Sequence, residues 1–323
     1  MGIAGGCPPE AALLPPEAGL LGRCSFPSAG QAVVCAVSGG PDSLAMLGLA
    51  SAAGCRVHAV HVDHGLRSHG REEAGLVARA AQRFGATFES VQVRVPSGAD
   101  LEARARRARY EALPEGVLVG HTADDQAETF LLNLMRGAGI DGLSGMRASG
   151  GGLRKARRPI LALRRSETAL LVRSWGVEVF RDPSNNDLRF RRNRVRHEVL
   201  PLLAEVAGRD PVPLICRTAA LLGEDADLLA ALSEGLEPTD TAALRSAPKP
   251  LAKRALRAWL AEGQGDERHP PSAADVDRAW AVVTGEVVAC EITGGRRVSR
   301  HRGRLRASPQ GELGAPVAEK ASV

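Results

Sequence analysis

The hydrophobic positions of the first 140 residues alternate between short apolar runs and longer amphipathic stretches. The segment 31–37 (QAVVCAV) is a nearly continuous apolar run, which is typical of a buried parallel strand. Three further strand-like segments follow, of which 87–95 alternates between polar and apolar residues, and a stretch with helical periodicity comes after each of the four. The pattern predicts strands at 31–37, 56–62, 87–95 and 117–120, and helices at 44–53, 68–84, 100–113 and 124–136. Strands that alternate with helices predict an α/β fold with a doubly wound parallel sheet.

The pattern changes after Gly137, where glycines become frequent and helical periodicity then dominates. Helices are predicted at 164–176 and 190–207, with a short strand at 177–180 between them. Pro211 and Pro213 indicate a domain boundary. We therefore expect an irregular leader at 1–28, a catalytic domain at 29–210, a smaller and mainly helical domain at 211–307, and a disordered tail at 308–323.

Composition excludes several classes of protein. No apolar run approaches the ~18 residues of a membrane span. Residues 1–30 contain prolines and acids in place of the basic start and unbroken apolar stretch of a secretory signal. A cytoplasmic location without membrane association is therefore expected. The six cysteines form no CxxC pair, so neither a disulfide framework nor a zinc site is expected.

The strongest chemical signal is the turn after the first predicted strand, Ser38-Gly39-Gly40-Pro41-Asp42-Ser43. Its glycines let the backbone approach an anion, and N–H groups at the following helix start can hold phosphate oxygens together with the serine hydroxyls. The Asp42 carboxylate is expected to bind a Mg²⁺ that bridges phosphates. The spacing matches neither GxGxxG nor GxxxxGK[ST]. The structural alternative is a plain strand-to-helix turn with an Asp or Ser cap.

Two further loops fall at the same edge of the predicted sheet. The second strand ends in His61-Val62-Asp63, which fits the border of a bound nucleotide better than a metal site because no other ligand pair lies nearby. The fourth strand ends at Gly120, and a helix start follows with four ionisable residues, namely His121, Asp124, Asp125 and Glu128. Helical spacing brings the first, third and fourth of these near one face. Helix capping explains one or two acids, but the whole set favours a chemical role.

These motifs resemble those of a known family. The SGGPDS segment is similar to the loop of the pyrophosphate-loop (PP-loop, N-type) ATP pyrophosphatases, whose fold is of the adenine nucleotide alpha hydrolase type. The additional motifs HVDHGLR, GHTADDQAETFLLNLMRGAG, RDPSNND and RRNRVRHEVLPLL occur in the order and spacing of the tRNA(Ile)-lysidine synthase family. The resemblance covers about residues 31–205.

The resemblance implies a reaction and its participants. A ligase of this family uses ATP to adenylate the C2 oxygen of the wobble cytidine, position 34 of the CAU anticodon of tRNA(Ile). It then attaches L-lysine to form lysidine, releases AMP and pyrophosphate, and changes decoding from AUG to AUA. ATP and Mg²⁺ are the implied cofactors, and the oligomeric state stays open, a dimer being one option.

Site roles follow from the residues and the resemblance together. We expect Asp125 and Glu128 to grip or deprotonate the lysine amine, and His121 and Asp124 to orient groups or stabilise charge. Asp42 is expected to act in catalysis through Mg²⁺. The residues expected to bind ATP are Ser38, Gly39, Gly40, Pro41, Asp42, Ser43, His61, Asp63 and Gly120.

A basic segment suggests where RNA binds. The whole chain has a net charge of +5, whereas residues 147–198 carry 13 arginines and one lysine against five acids, a net charge of +9. Five arginines lie at one helix start and are expected to contact tRNA, namely Arg189, Arg191, Arg192, Arg194 and Arg196. Guanidinium groups make forked contacts with phosphates and stack on unpaired bases. A solvated helix face is the structural alternative.

Three other functions remain compatible with the same loop. A tRNA thiolation enzyme would be expected to carry cysteine pairs, which are absent from this sequence. A small-molecule amidating ligase would not need the basic segment. A non-catalytic RNA-binding relative would have no need to keep Asp42, Asp125 and Glu128.

Overall fold

The computed structural model describes residues 15–63, 65, 70–95, 101–149, 155–180, 182, 186–262 and 271–308. The chain forms two compact units, Met1–Gly223 and Glu224–Val323. The division falls within the helix Val212–Glu234, whereas the prolines had suggested a boundary at 210/211. Pro211 precedes this helix and Pro213 lies in its first turn, where a missing N–H costs little. These prolines therefore start a helix instead of separating domains.

The first unit is built on a four-stranded parallel sheet, which confirms the predicted α/β fold. Its strands are β1 (Ala32–Ala36), β2 (Arg56–Asp63), β3 (Thr87–Gln92) and β4 (Leu118–Val119), in the order β3-β2-β1-β4. The direction of winding reverses between β1 and β4. In open α/β sheets ligands bind at the carboxyl ends of the strands at such a reversal. The loops that follow β1 and β4 therefore lie where the candidate residues were expected to meet.

The described chain contains ten α-helices up to residue 234. They are α1 (Pro15–Leu21), α2 (Pro41–Ala52), α3 (Gly70–Arg83), α4 (Leu101–Glu111), α5 (Ala123–Met135), α6 (Ile140–Leu143), α7 (Arg165–Ser174), α8 (Arg191–Arg194), α9 (Leu200–Ala207) and α10 (Val212–Glu234). A π-helical turn, Val195–Val199, connects α8 to α9, so the predicted helix at 190–207 is nearly continuous. No helix in the described segments is long and apolar enough to cross a membrane.

The core of the first unit lies between the sheet and α2. Val33 and Cys35 of β1 and the following Val37 are buried, and Leu44 and Leu47 of α2 belong to the same buried cluster. Helix α2 contacts β1, β2 and α7, so its first eight residues after Asp42 are all buried. This burial fixes the start of α2, and hence the preceding loop, against the end of β1.

Two predicted segments have a different structure. Residues 15–21 of the predicted irregular leader form α1, and residues 1–14 lie outside the described residues. Pro15 and Pro16 occupy the first turn of that helix, where proline is tolerated, and Leu20 and Leu21 pack on the core. The strand expected at 177–180 is absent, because Phe180 donates its backbone N–H to Gly39 O (2.9 Å) instead of pairing with the sheet.

The second unit combines helices with a small antiparallel sheet. Helices α11 (Thr241–Ser246), α12 (Lys249–Ala261) and α13 (Ala273–Thr284) precede strands β5 (Ala289–Ile292), β6 (Arg296–His301) and β7 (Arg304–Ser308). The strand order is β5-β6-β7. Leu256, Val282 and Val298 lie in one buried cluster. The predicted helical character of this region is confirmed, with the sheet added at its end, and the tail at 309–323 lies outside the described residues.

We predict that Gly48→Ala destabilises the first unit. A Cβ at position 48 would lie 2.6 Å from Trp175 Cη2 and 3.0 Å from Phe84 Cζ, and these two rings already pack edge to face. Overpacking should outweigh the gain in helix propensity and lower the free energy of unfolding by about 1–2 kcal/mol.

The matched control is Gly19→Ala in α1, because no atom lies within 4 Å of its added Cβ. It should stabilise the protein by about 0.5–1 kcal/mol. Denaturant unfolding measures both variants. Equal changes in the two would contradict the proposed crowding at Gly48.

Candidate active site

The loop between β1 and α2 has the geometry expected of an anion-binding turn. Gly39 adopts φ +73°, and Gly40 precedes α2 without a side-chain cap on the helix N-terminus. Ser43 Oγ donates to Gly40 O (2.9 Å) and accepts from the Ser38 N–H (3.2 Å). These bonds hold the loop closed while the N–H groups at the start of α2 receive no side-chain cap.

Gly120 allows the end of β4 to approach this loop. A Cβ at position 120 would lie 2.9 Å from the backbone carbonyl atoms of Asp42 and 2.9 Å from Ser43 Cα. No side chain can be accommodated against backbone at that distance. Gly120 therefore brings the segment after β4, which leads into α5, against the first turn of α2.

The structure brings Asp42, Asp125 and Glu128 around the guanidinium of Arg165. Arg165 Nη2 donates to Asp125 Oδ1 (2.8 Å), and Nη1 donates to Glu128 Oε1 (3.0 Å). Arg165 Nε lies 3.4 Å from Asp42 Oδ2, and the Thr168 hydroxyl donates to Asp42 Oδ1. Helix α7, which carries Arg165 and Thr168, thus joins the start of α2 to α5.

Asp124 and Asp125 have different tasks at the start of α5. Asp125 Oδ2 accepts from the Thr122 backbone N–H (2.9 Å) and hydroxyl (3.0 Å), so this carboxylate also fixes the helix start. Asp124 accepts from Arg164 Nε (3.1 Å) and Nη2 (3.0 Å) and from the Arg165 N–H (2.8 Å). Asp124 therefore anchors α7 and does not join the cluster around the Arg165 guanidinium.

Two of the five arginines expected to contact RNA turn towards the acidic cluster. Arg192 Nε donates to Glu128 Oε2 (2.7 Å), and Arg196 Nε donates to Glu128 Oε1 (2.8 Å). The other three are exposed. Arg189 pairs with Asp187 and Arg194 with Glu198, while Arg191 has an exposed side chain.

Burial and arginine contacts act in opposite directions on the three carboxyl groups. Burial alone would raise the pKa of Asp125 and of Glu128, but the neighbouring arginines outweigh it and lower both. Burial dominates at Asp42 and raises its pKa to about 6, although Thr168 and Arg165 oppose the rise. Asp125 and Glu128 are therefore anionic at neutral pH and suited to hold a cation, and they are weak bases.

The residues at the end of β2 are less exposed than expected for a nucleotide border. His61 is 2% exposed, and its Nδ1 lies 3.0 Å from Val37 O, a contact in which the ring must donate. Asp63 Oδ1 accepts from the Gly65 N–H (2.9 Å), and a Cβ at Gly70 would clash with its carboxyl group. Asp63 thus supports the turn after β2, whereas His61 ties the end of β2 to the residue that follows β1.

His121 is held by an arginine that the sequence analysis did not select. Arg158 Nε lies 3.2 Å from His121 Nδ1, and the Arg158 side chain is buried. Arg158, Arg165 and Thr168 were missed because they lie far along the chain from His121 and the acids, which are the groups that they contact. The one available signal was the local excess of arginine in residues 147–198.

Asp42 suits the metal expected at the loop. A carboxylate oxygen beside a phosphate-binding turn is the type of ligand that Mg²⁺ takes, with phosphates and water completing its shell. Within the described ranges no group of three or more His, Cys, Asp or Glu side chains is arranged to hold a metal ion. A Mg²⁺ at Asp42 would therefore depend on phosphate oxygens for most of its ligands.

Comparisons with known proteins agree with this geometry. Residues 20–203 match the family described as a PP-loop domain. The chain is 39% identical to tRNA(Ile)-lysidine synthase of Nocardia farcinica over 297 residues, which cover 87% of this chain and 92% of the relative. It is 43% identical to the enzyme of the same name from Mycolicibacterium paratuberculosis over 240 residues, which cover 71% and 74%.

A solved structure gives the same fold. The U34-tRNA thiolase NcsA from Methanococcus maripaludis, determined with its [4Fe-4S] cluster, superposes with a TM-score of 0.53 at 15% identity. The match covers 64% of this chain and 78% of that one. At this identity the likeness concerns the fold alone.

We predict that Arg165→Met strongly destabilises the first unit, because it removes the cation shared by two buried carboxyl groups, Asp125 and Glu128, and the half-buried Asp42. Breaking a buried ion pair costs about 3–5 kcal/mol. The control is Arg79→Met, which removes an exposed pair with Glu178 (2.9 Å) and should cost less than about 1 kcal/mol.

The loss of stability in Arg165→Met should also depend on pH. The lowered pKa values of Asp125 and Glu128 stabilise the fold above the ordinary values of 3.8 and 4.5, and this contribution is lost as the pH falls through the lowered values. The difference between wild type and variant should therefore be largest near neutrality and shrink in acid. Urea unfolding at several pH values measures it, and a difference independent of pH would contradict the electrostatic role of Arg165.

Proposed function

The chain belongs to the tRNA(Ile)-lysidine synthase family of PP-loop proteins, and on that premise we propose how its residues divide the reaction. It is an ATP-using ligase that modifies tRNA(Ile). In our proposal the C2 oxygen of the wobble cytidine of the CAU anticodon is adenylated, and pyrophosphate leaves. The ε-amine of L-lysine then attacks C2, and AMP leaves as lysidine forms.

The phosphate end of ATP is assigned to the loop after β1. Ser38, Gly39 and Gly40 would present backbone N–H and hydroxyl groups, and Ser43 holds the loop in shape. Asp42 would hold Mg²⁺, which supplies positive charge to the leaving pyrophosphate. Burial raises the pKa of Asp42 to about 6, so a bound cation would stabilise the ionised form that this role needs.

We assign binding of the lysine amine to Asp125 and Glu128. One observation carries the proposal: these two carboxylates and Asp42 all pair with the guanidinium of Arg165. Because the pKa values of Asp125 and Glu128 are lowered, these two carboxylates are better suited to bind the lysine ammonium group than to deprotonate it. Arg165, Arg192 and Arg196 occupy the carboxylate oxygens in this structure. A bound ammonium would exchange with one of these arginines, at little cost in net charge.

The alternative of sulfur transfer is disfavoured by the cysteines. Thiolates are the reactive form of cysteine, and burial raises the pKa of Cys24 and of Cys216 to about 11 and that of Cys35 to about 12. Cys216, whose Sγ donates to Ala123 O (3.3 Å), is beside α5 and still a thiol at neutral pH.

The test of this proposal is transfer of radiolabelled lysine to an isoleucine tRNA transcript in the presence of ATP. Asp125→Asn keeps an oxygen for the Thr122 cap but removes the negative charge, so kcat/KM for lysine should fall about 100-fold or more. Glu115→Gln, a change at an exposed acid, is the control and should leave transfer unchanged. Near-normal transfer by Asp125→Asn would remove Asp125 from the reaction.

We further propose that Arg189, Arg191 and Arg194 contact tRNA phosphates, because they are the exposed members of the arginine group. Replacing all three by alanine should weaken tRNA binding and reduce the slope of log K against log salt by about two to three. Filter binding at several salt concentrations measures the slope. Arg83→Ala, an exposed arginine on α3, is the control, and an unchanged slope in the triple variant would place RNA elsewhere.

A further inference from the structure

The contact between Arg158 and His121 determines which ring nitrogen of the histidine carries hydrogen. Arg158 Nε and His121 Nδ1 are 3.2 Å apart. A guanidinium has five N–H donors, no acceptor, and keeps its charge at all relevant pH values. The hydrogen bond therefore exists only when Nδ1 of His121 is the acceptor and bears no hydrogen.

Arg158 cannot readily turn away from this contact. Its side chain is 7% exposed, and Nη1 donates to the carbonyl oxygens of Arg147 (3.0 Å) and Ala156 (3.1 Å). Its backbone N–H donates to Ala148 O (2.7 Å). The guanidinium is thus fixed by bonds that do not involve His121.

We propose that Arg158 is a positioning residue that holds His121 as the neutral imidazole with its hydrogen on Nε2. His121 then serves as a hydrogen-bond donor to an acceptor oxygen or ring nitrogen of the reacting nucleotide, and not as the base that takes the proton of lysine. This donor role rests on the proposed function, whereas the tautomer follows from the contact alone.

The acid Asp125 lies near His121 and does not reverse this choice of tautomer. Asp125 on α5 is close enough for its charge to interact with the imidazole, and alone it would favour the doubly protonated ring. The Asp125 carboxylate already forms ion pairs with Arg165 (2.8 Å) and with Arg192 (3.3 Å), which weakens its effect on the imidazole. A doubly protonated ring would also place an N–H against the Arg158 N–H, so the neutral form is favoured.

The neutral donor suits the chemistry proposed for this edge of the sheet. A pyrimidine carbonyl or a phosphate oxygen needs a donor held in place before charge develops. The backbone N–H of His121 donates to Val119 O (2.9 Å), which fixes the residue just past β4 and ahead of α5. Triosephosphate isomerase uses a neutral histidine as donor in the same way.

The tautomer can be read directly from the unaltered protein. Long-range ¹H–¹⁵N correlation spectra of protein labelled in its histidines report which nitrogen of each ring is protonated, and loss of one pattern in His121→Gln assigns His121. At pH 7 the spectrum of the wild type should show that Nδ1 of His121 is unprotonated and that Nε2 is protonated. Hydrogen on Nδ1, or on both nitrogens, would overturn the proposal.

The part played by Arg158 is tested with Arg158→Met, which keeps length and burial but cannot donate. If this variant folds, its His121 pattern should change to a mixture of tautomers or to the charged ring, and an unchanged pattern would refute the positioning role. If it does not fold, the wild-type spectrum still decides the tautomer. Both spectra use the free protein, so failure of the lysine-transfer reaction would leave this result standing.

The donor role is tested by two substitutions at position 121. Glutamine places an amide N–H near the position of Nε2 but cannot act as a base, whereas leucine offers neither function. His121→Gln should keep lysine transfer within about tenfold of wild type, and His121→Leu should lose about 100-fold or more. Equal losses in the two variants would show that His121 is not a donor.

Discussion

Three carboxyl groups from two helices lie within reach of one arginine, and the rest of the site depends on that shared cation. Asp42, Asp125 and Glu128 would repel one another at the end of the sheet if no charge stood between them. Arg165 is part of α7, which Asp124 anchors through both Arg164 and the backbone of Arg165. The position of α7 thus sets the charge between all three acids, and Arg192 and Arg196 add to it at Asp125 and Glu128.

The same contacts serve the fold and the site. Asp125 closes the first turn of α5 with one oxygen and receives Arg165 with the other. Gly120 lets the end of β4 meet the backbone at the start of α2, and α5, which carries Asp125 and Glu128, begins three residues later. The charges of the candidate site therefore also hold α2, α5 and α7 in their places.

The sequence predicted the parts of the structure that depend on local pattern. Short apolar runs and, at 87–95, an alternating pattern predicted the four strands, and the turn residues around Gly39 predicted the loop. The partners of the acids could not be predicted, because Arg165 lies on a later helix than Glu128 and no sequence spacing relates the two residues. Position 177–180 resembles a strand by composition, but its hydrogen bonds go to the loop at Gly39.

The ion-pair partners of Asp125 and Glu128 in the described chain are all arginines, and this choice has a chemical consequence. An activated pyrimidine carbon would react with any free amine nearby, including one that belonged to the enzyme. Guanidinium stays protonated and does not attack, whereas a lysine in the same place could lose its proton and form a bond to the RNA. By holding its carboxylates with arginine, the protein keeps its own side chains from competing with the amino acid that it is proposed to attach.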